Sequence, residues 1–232
     1  NATTGGSIKY TDVGIGEVWY CSGQSNMQLA VSKVHNIEDI IADASNRDIR
    51  SFKMNISAKY TLQKDVSGGA WKQVTTDNVS GISAIGYITA YQLQKELGVP
   101  VAIIESYNGG SAANPWLSYE KIFAEDRADV YNNEDWIPKN ADGSLVLNSS
   151  GCEGRTVWED YEYYWQVGTS SEGTLQTGTE GSIGNRFAPT GLYNGMQGPL
   201  AGYAIAGVMW YQGEARANSL KTEQYNYILN DL

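Results

Sequence analysis

Histidine is nearly missing from this sequence: His35 stands alone among 232 residues. Any chemistry that needs an imidazole to move protons near neutral pH has that one candidate within the chain. Basic residues are also scarce. Sixteen lysines and arginines face 26 acidic residues, for a net charge of -10 and a pI near 4.6. That balance argues against a nucleic-acid or anionic-membrane partner, which would need a basic patch, and the surplus negative charge serves chiefly to keep the chain soluble. No apolar run approaches the ~20 residues of a membrane span. No signal peptide stands at Asn1, and with no initiating methionine the chain is expected to be a processed or excised piece. Cysteine occurs twice, at Cys21 and Cys152, in no CxxC pair, so no zinc site is expected. Cys21 lies in an apolar run and reads as a small buried core residue. The redox compartment stays open.

Against these shortages, hydrophobic residues make up 41% and charged residues 18%, a globular composition. Glycine (26), tyrosine (16) and tryptophan (7) are plentiful, a profile that suits an exported, extracellular or periplasmic carbohydrate-active protein. The chain is long enough for one domain with a sizeable core. No internal repeat is visible, and strand-like and helix-like segments alternate, which predicts an α/β fold with a parallel sheet. Glu17 to Ser22 reads as a buried strand, followed by a helical pattern through Met27, Val31, Val34, Ile37, Ile40, Ile41 and Ala44. Ile49 to Ile56 fits a second strand. Ile82, Ile85, Ile88, Leu93 and Leu97 mark a helix face, with Gly98 to end it and Pro100 to prevent its continuation. Val101 to Glu105 and Ala204 to Tyr211 are further apolar strands, and Ser219 to Leu232 is helical in pattern. Residues 125 to 187 break the alternation. They are rich in Gly, Ser, Thr and Asn, with Trp136, Trp158, Tyr161, Tyr163, Tyr164 and Trp165 interspersed, and read as an ordered aromatic insertion.

Three motifs each follow the carboxyl end of a predicted strand: Gly23-Gln24-Ser25-Asn26-Met27, Asn108-Gly109-Gly110-Ser111 and Trp210-Tyr211-Gln212-Gly213-Glu214. Ligands of open parallel sheets bind along that edge, so the three loops are expected to converge. Ser25, between strand and helix, would expose its hydroxyl and aim its N–H out of a helix N-terminus, where it can serve a developing oxyanion. Taken alone, a plain N-cap serine is the commoner role for such a residue. Gly109 and Gly110 allow a ligand close to the backbone, or simply make a tight turn. Gln212 offers an uncharged amide donor, or ties down its loop. Glu214 can orient Gln212, bind sugar hydroxyls or remain solvated. Met27 stands where the G-x-S-x-G elbow of α/β-hydrolases has its second glycine, so that motif is not present.

The block GEVWYCSGQSNM (Gly16 to Met27) closely resembles the nucleophile block of the sialate O-acetylesterase family, within the SGNH hydrolase superfamily. Two further blocks agree in order: IGYITAYQLQKELGVPVAIIESYNGGSAANPWLS (Ile85 to Ser118) and PTGLYNGMQGPLAGYAIAGVMWYQGE (Pro189 to Glu214). The resemblance implies a flavodoxin-like three-layer fold, Ser25 as nucleophile, and an oxyanion hole from the Ser25 N–H, Gly109 or Gly110, and the Gln212 side chain. It implies no metal or organic cofactor and an acetylated carbohydrate as substrate. Residues 1–15 would be the tail of a connection and 16–232 the catalytic domain. Asn108 departs from the tryptophan frequent in the family. With Glu214, Trp158 and Trp165 it is a candidate for substrate contact.

The resemblance also points to an absence. The family's base comes from an Asp-x-x-His block near the C-terminus, and the sequence contains no such block. The catalytic His and Asp are therefore expected from a further C-terminal segment, together with the last strand and helix of the fold. His35 reads as a surface or cap residue. The expected activity is serine-dependent hydrolysis of O-acetyl esters on sialic acid or other sugars, weak or absent in residues 1–232 alone. An acetylxylan esterase or arylesterase on the same scaffold, or a sugar-binding module with a vestigial Ser25, are the alternatives.

Overall fold

The computed structural model describes residues 9–59, 62–122, 190–215 and 222–232. Among these, five strands form one sheet in the order β3-β2-β4-β1-β5, with β1 Glu17–Gly23, β2 Ile49–Lys53, β3 Trp71–Gln73, β4 Val101–Tyr107 and β5 Gly207–Tyr211. The pairs β2–β4, β4–β1 and β1–β5 are parallel, as the strand and helix alternation predicts; β3 runs antiparallel to β2. β3 has only three residues, all exposed, too few to show a periodicity; it exists because β2 offers it an edge. The last residue of β1, Gly23, is in register with both Tyr107 and Tyr211, so three parallel strands end level with one another.

Alternate residues of the strands feed cores on both faces. On one face Cys21, Ile49, Val101 and Ile103 pack with Val31, Val79 and the long helix α3 (Ala84–Leu97). On the other, Tyr20, Met54 and Ile104 pack with Trp116, Leu192 and Met196. The closing helix α5 (Thr222–Asp231) sets Ile228 against Ala113 and Leu117. A four-residue helix α4 (Tyr119–Ile122) lies between β4 and β5 in sequence.

Two helix expectations need correction. The pattern from Met27 to Ala44 is not one helix but α1 (Ser25–Gln28), a 3₁₀ turn at Val31–Lys33, α2 (Glu38–Ala42) and a second 3₁₀ turn at Ala44–Asn46. The chain turns extended at Leu29 because a neighbouring segment supplies its hydrogen bonds. Ala84 N–H donates to the Leu29 carbonyl at 2.7 Å, and Val31 N–H donates to the Ile82 carbonyl at 2.9 Å. α3 ends at Gly98 as predicted, but Leu97 is exposed, and the buried face of α3 is Ala84, Gly86, Tyr87, Ala90 and Tyr91. Small residues there let the helix lie close to the sheet: a Cβ on Gly86 would stand 3.2 Å from Cys21 Sγ and from Ile103 Cδ1. Strand lengths shift too. β4 continues through Ser106 and Tyr107, and β5 begins only at Gly207.

The insertion at 125–187, with Trp158, Trp165 and its other aromatics, and Cys152, lie outside the described residues.

Candidate active site

The level ends of β4, β1 and β5 bring the three sequence motifs to one edge of the sheet. At the end of β1, Gly23 has φ of +134°, and a Cβ there would collide with the Tyr211 carbonyl, so the close passage of β1 past β5 requires glycine. The Gln24 N–H then donates to that same carbonyl at 3.0 Å. The next residue, Ser25, opens α1 as its first residue and is exposed. Neither its hydroxyl nor its N–H has a hydrogen-bond partner among the described residues. A first-turn N–H has no intrahelical acceptor, so it stays available to an external anion.

The glycine turn follows β4 directly. Asn108, buried, donates its N–H to the Gly23 carbonyl at 3.0 Å and accepts from the Ser111 N–H at 3.1 Å. This closes a turn in which Gly110 takes φ of +77°. A Cβ on Gly109 would stand 3.8 Å from Ser25 Cα, which places the glycine backbone beside the serine. The Gly109 N–H donates to Gln28 Oε1 at 2.9 Å.

Gln212 stands one residue past β5, 8% exposed. Its Nε2 donates to Gln24 Oε1 at 3.1 Å and to the Ser111 carbonyl at 3.3 Å. Its Oε1 accepts from the Tyr225 hydroxyl of α5 at 2.9 Å. The carboxamide thus joins all three loops, with its NH₂ end turned toward the β1 and β4 loops. Glu214, exposed, accepts from Asn26 Nδ2.

Ser25, Asn108, Gly109, Gly110, Gln212 and Glu214 therefore lie together. His35 does not join them; it sits exposed on a bend before α2, and no hydrogen bond links it to Ser25. Three residues that knit the site escaped the sequence reading. Gln24, 3% exposed, also accepts from the Ala215 N–H at 3.1 Å; Asn26 holds Glu214; Gln28 holds Gly109. Their only sequence signal is their place in or directly after the block around Ser25, since each has a partner at least 81 residues away. A hollow of about 670 Å³ lined by Tyr193, Trp210 and Leu232 includes none of the site residues, and Ser25 stands on accessible surface instead. Among the described residues, no group of three or more His, Cys, Asp or Glu side chains is arranged to hold a metal ion.

The arrangement offers an unencumbered hydroxyl, a helix N-terminal N–H beside it, a glycine turn against it and a neutral amide on the neighbouring loop. Those are parts for nucleophilic attack on a carbonyl and for holding the resulting oxyanion.

No family model matches the sequence. The chain is 26% identical to sialate O-acetylesterase of Rattus norvegicus over 224 residues, covering 93% of this chain and 38% of the relative. It is 26% identical to sialate O-acetylesterase of Homo sapiens over 229 residues, covering 95% and 35%. Among solved structures it superposes on a carbohydrate acetylesterase from Xanthomonas citri with a TM-score of 0.63 and 24% identity, over 92% of this chain and 36% of that one. The chain thus spans well under half the length of the relatives it matches. Over nearly its whole extent it is similar in sequence to sialate O-acetylesterases, and it shares the mostly parallel α/β fold of a carbohydrate acetylesterase.

Proposed function

We propose that this chain carries the nucleophile and oxyanion site of a serine esterase that removes O-acetyl groups from carbohydrates, with sialic acids the leading substrate class. The observation that supports this best is Ser25: hydroxyl and N–H both unengaged among the described residues, at the head of α1, with Gly109 packed beside it. The sequence similarity to sialate O-acetylesterases favours the substrate class.

In this mechanism Ser25 Oγ attacks the acetyl carbonyl. The Ser25 N–H, a glycine N–H of the Gly109–Gly110 turn and Gln212 Nε2 receive the negative oxygen. To do so Gln212 exchanges one of its present acceptors, the Ser111 carbonyl or Gln24 Oε1, for the oxyanion. The sugar oxygen leaves as the acetyl-enzyme forms, and water releases acetate. Asn108 and Glu214 flank the position of the leaving sugar. The proton of Ser25 goes to a histidine outside these 232 residues and from it to the leaving sugar oxygen, since no hydrogen bond links His35 to Ser25. An exported location suits a substrate of this kind.

The test is hydrolysis of 4-nitrophenyl acetate by the full-length polypeptide, by its Ser25→Ala variant and by residues 1–232 alone. Ser25→Ala should abolish turnover. Residues 1–232 should retain only the residual catalysis of a site without its base, roughly 10³–10⁴-fold over water. Equal turnover by the long and short chains, lost on His35→Ala, would assign the base to His35 instead.

A further inference from the structure

Glu105 lies in the interior, 1% exposed, on β4, and the chemistry above makes no use of it. A buried carboxyl group is costly unless its oxygens are bonded, and three donors converge here. The Ser51 hydroxyl on β2 donates to Oε1. The Ser83 N–H donates to Oε2 at 2.8 Å and the Tyr107 hydroxyl to the same oxygen at 2.7 Å. Ser83 is also the N-cap of α3, so the carboxyl group stands at the positive end of a 14-residue helix.

Ser83 links this centre to the nucleophile turn. Its Oγ accepts from the Gly86 N–H at 3.2 Å, closing the first turn of α3, and donates to the Met27 carbonyl at 2.6 Å. Met27 belongs to α1, two residues after Ser25, and its carbonyl is one of the acceptors that a helix end leaves without an internal partner. A helix of four residues cannot hold itself in place. Its position is fixed from outside, by Ser83 and by the flanking backbone bonds to Ile82 and Ala84. Meanwhile β4, which bears Glu105, runs on into the glycine turn that packs against Ser25. One carboxyl group is therefore bonded into both halves of the site.

We propose that Glu105 and Ser83 are positioning residues that hold the Ser25 turn in register with the Gly109–Gly110 turn. This rests on Ser25 being the nucleophile. A role in folding alone would lower stability and leave turnover per folded molecule intact, so the two roles separate experimentally.

The experiment compares Ser83→Ala, Glu105→Gln and the double variant in the full-length polypeptide, by steady-state hydrolysis of 4-nitrophenyl acetate and by thermal melting. Val101→Ala, a truncation in the same core at the end of β4 opposite the glycine turn, is the control for stability alone. Ser83→Ala should lower kcat roughly ten- to a hundredfold, the scale of a small misplacement of reacting groups, and leave KM unchanged. Glu105→Gln keeps an oxygen that can accept from the Ser83 N–H, so its loss should be smaller. The double variant should be no worse than Ser83→Ala, because both act through one chain of bonds. Val101→Ala should lower the melting temperature at full kcat. Full kcat in Ser83→Ala overturns the proposal; should that variant fail to fold, full kcat in Glu105→Gln does so. Ser25→Ala separates the two readings: if it stays active the nucleophile assignment fails, and if it is inactive while Ser83→Ala is not, only the positioning role fails.

Discussion

Cys21 and Tyr20 adjoin in β1 and face opposite cores, and burial raises the pKa of both. The Cys21 thiol is pushed up to about 12, first by desolvation and then by the neighbouring Glu105, and the Tyr20 phenol to about 12, again chiefly by desolvation. Their ordinary values are 9.0 and 10.0, so between those and about 12 the folded chain keeps protons that the unfolded chain gives up. The folded state binds more protons in that window, and by linkage stability falls as pH rises through it. The melting temperature should therefore decline from about pH 9 upward, and Cys21→Ala should make that decline shallower. A series of melts between neutral pH and pH 11 checks both, and identical slopes in the two proteins would remove Cys21 as a contributor.

β5 and the loop behind it show how one element can serve fold and chemistry together. Gln212 Nε2 ties the loop to Gln24 and Ser111, while Tyr225 in α5 holds the oxygen end of its amide. That clamp decides which end of the carboxamide faces the β1 and β4 loops. If the same Nε2 also receives the oxyanion, Gln212→Ala in the full-length polypeptide should reduce kcat by about 10²–10³, the usual effect of deleting one such donor. A loss under about tenfold would leave Gln212 as a loop fastener only.

For the whole molecule, the outer edge of β5 matters most. Among the described residues no strand pairs with it, and Val208 and Tyr211 are 55% and 44% exposed. An apolar strand edge of this kind invites pairing with another chain. Residues 1–232 alone should therefore associate in a concentration-dependent way, visible by sedimentation velocity, and Val208→Lys should reduce it. A single monomeric species across the concentration range, in both proteins, would show that the edge is protected.

Local signals in the sequence were enough to determine β1, β2, β4, β5 and α3, and the placement of three loops at strand ends. Apolar runs, the Gly98 stop and the glycine turn act over a few residues, where backbone sterics and burial pattern dominate. Ser25, Gly109 and Gln212 were legible as candidates for the same reason: each follows directly from a strand. Only the tertiary structure decided that the apolar pattern after Met27 breaks into short turns, that Trp71–Gln73 becomes an edge strand, and that Gln24, Asn26, Gln28, Ser83 and Glu105 are bonded into the turns around Ser25. In each case the deciding hydrogen bonds come from residues distant in sequence. A backbone or side-chain group takes the partner the fold sets beside it, and periodicity along the chain does not register that partner.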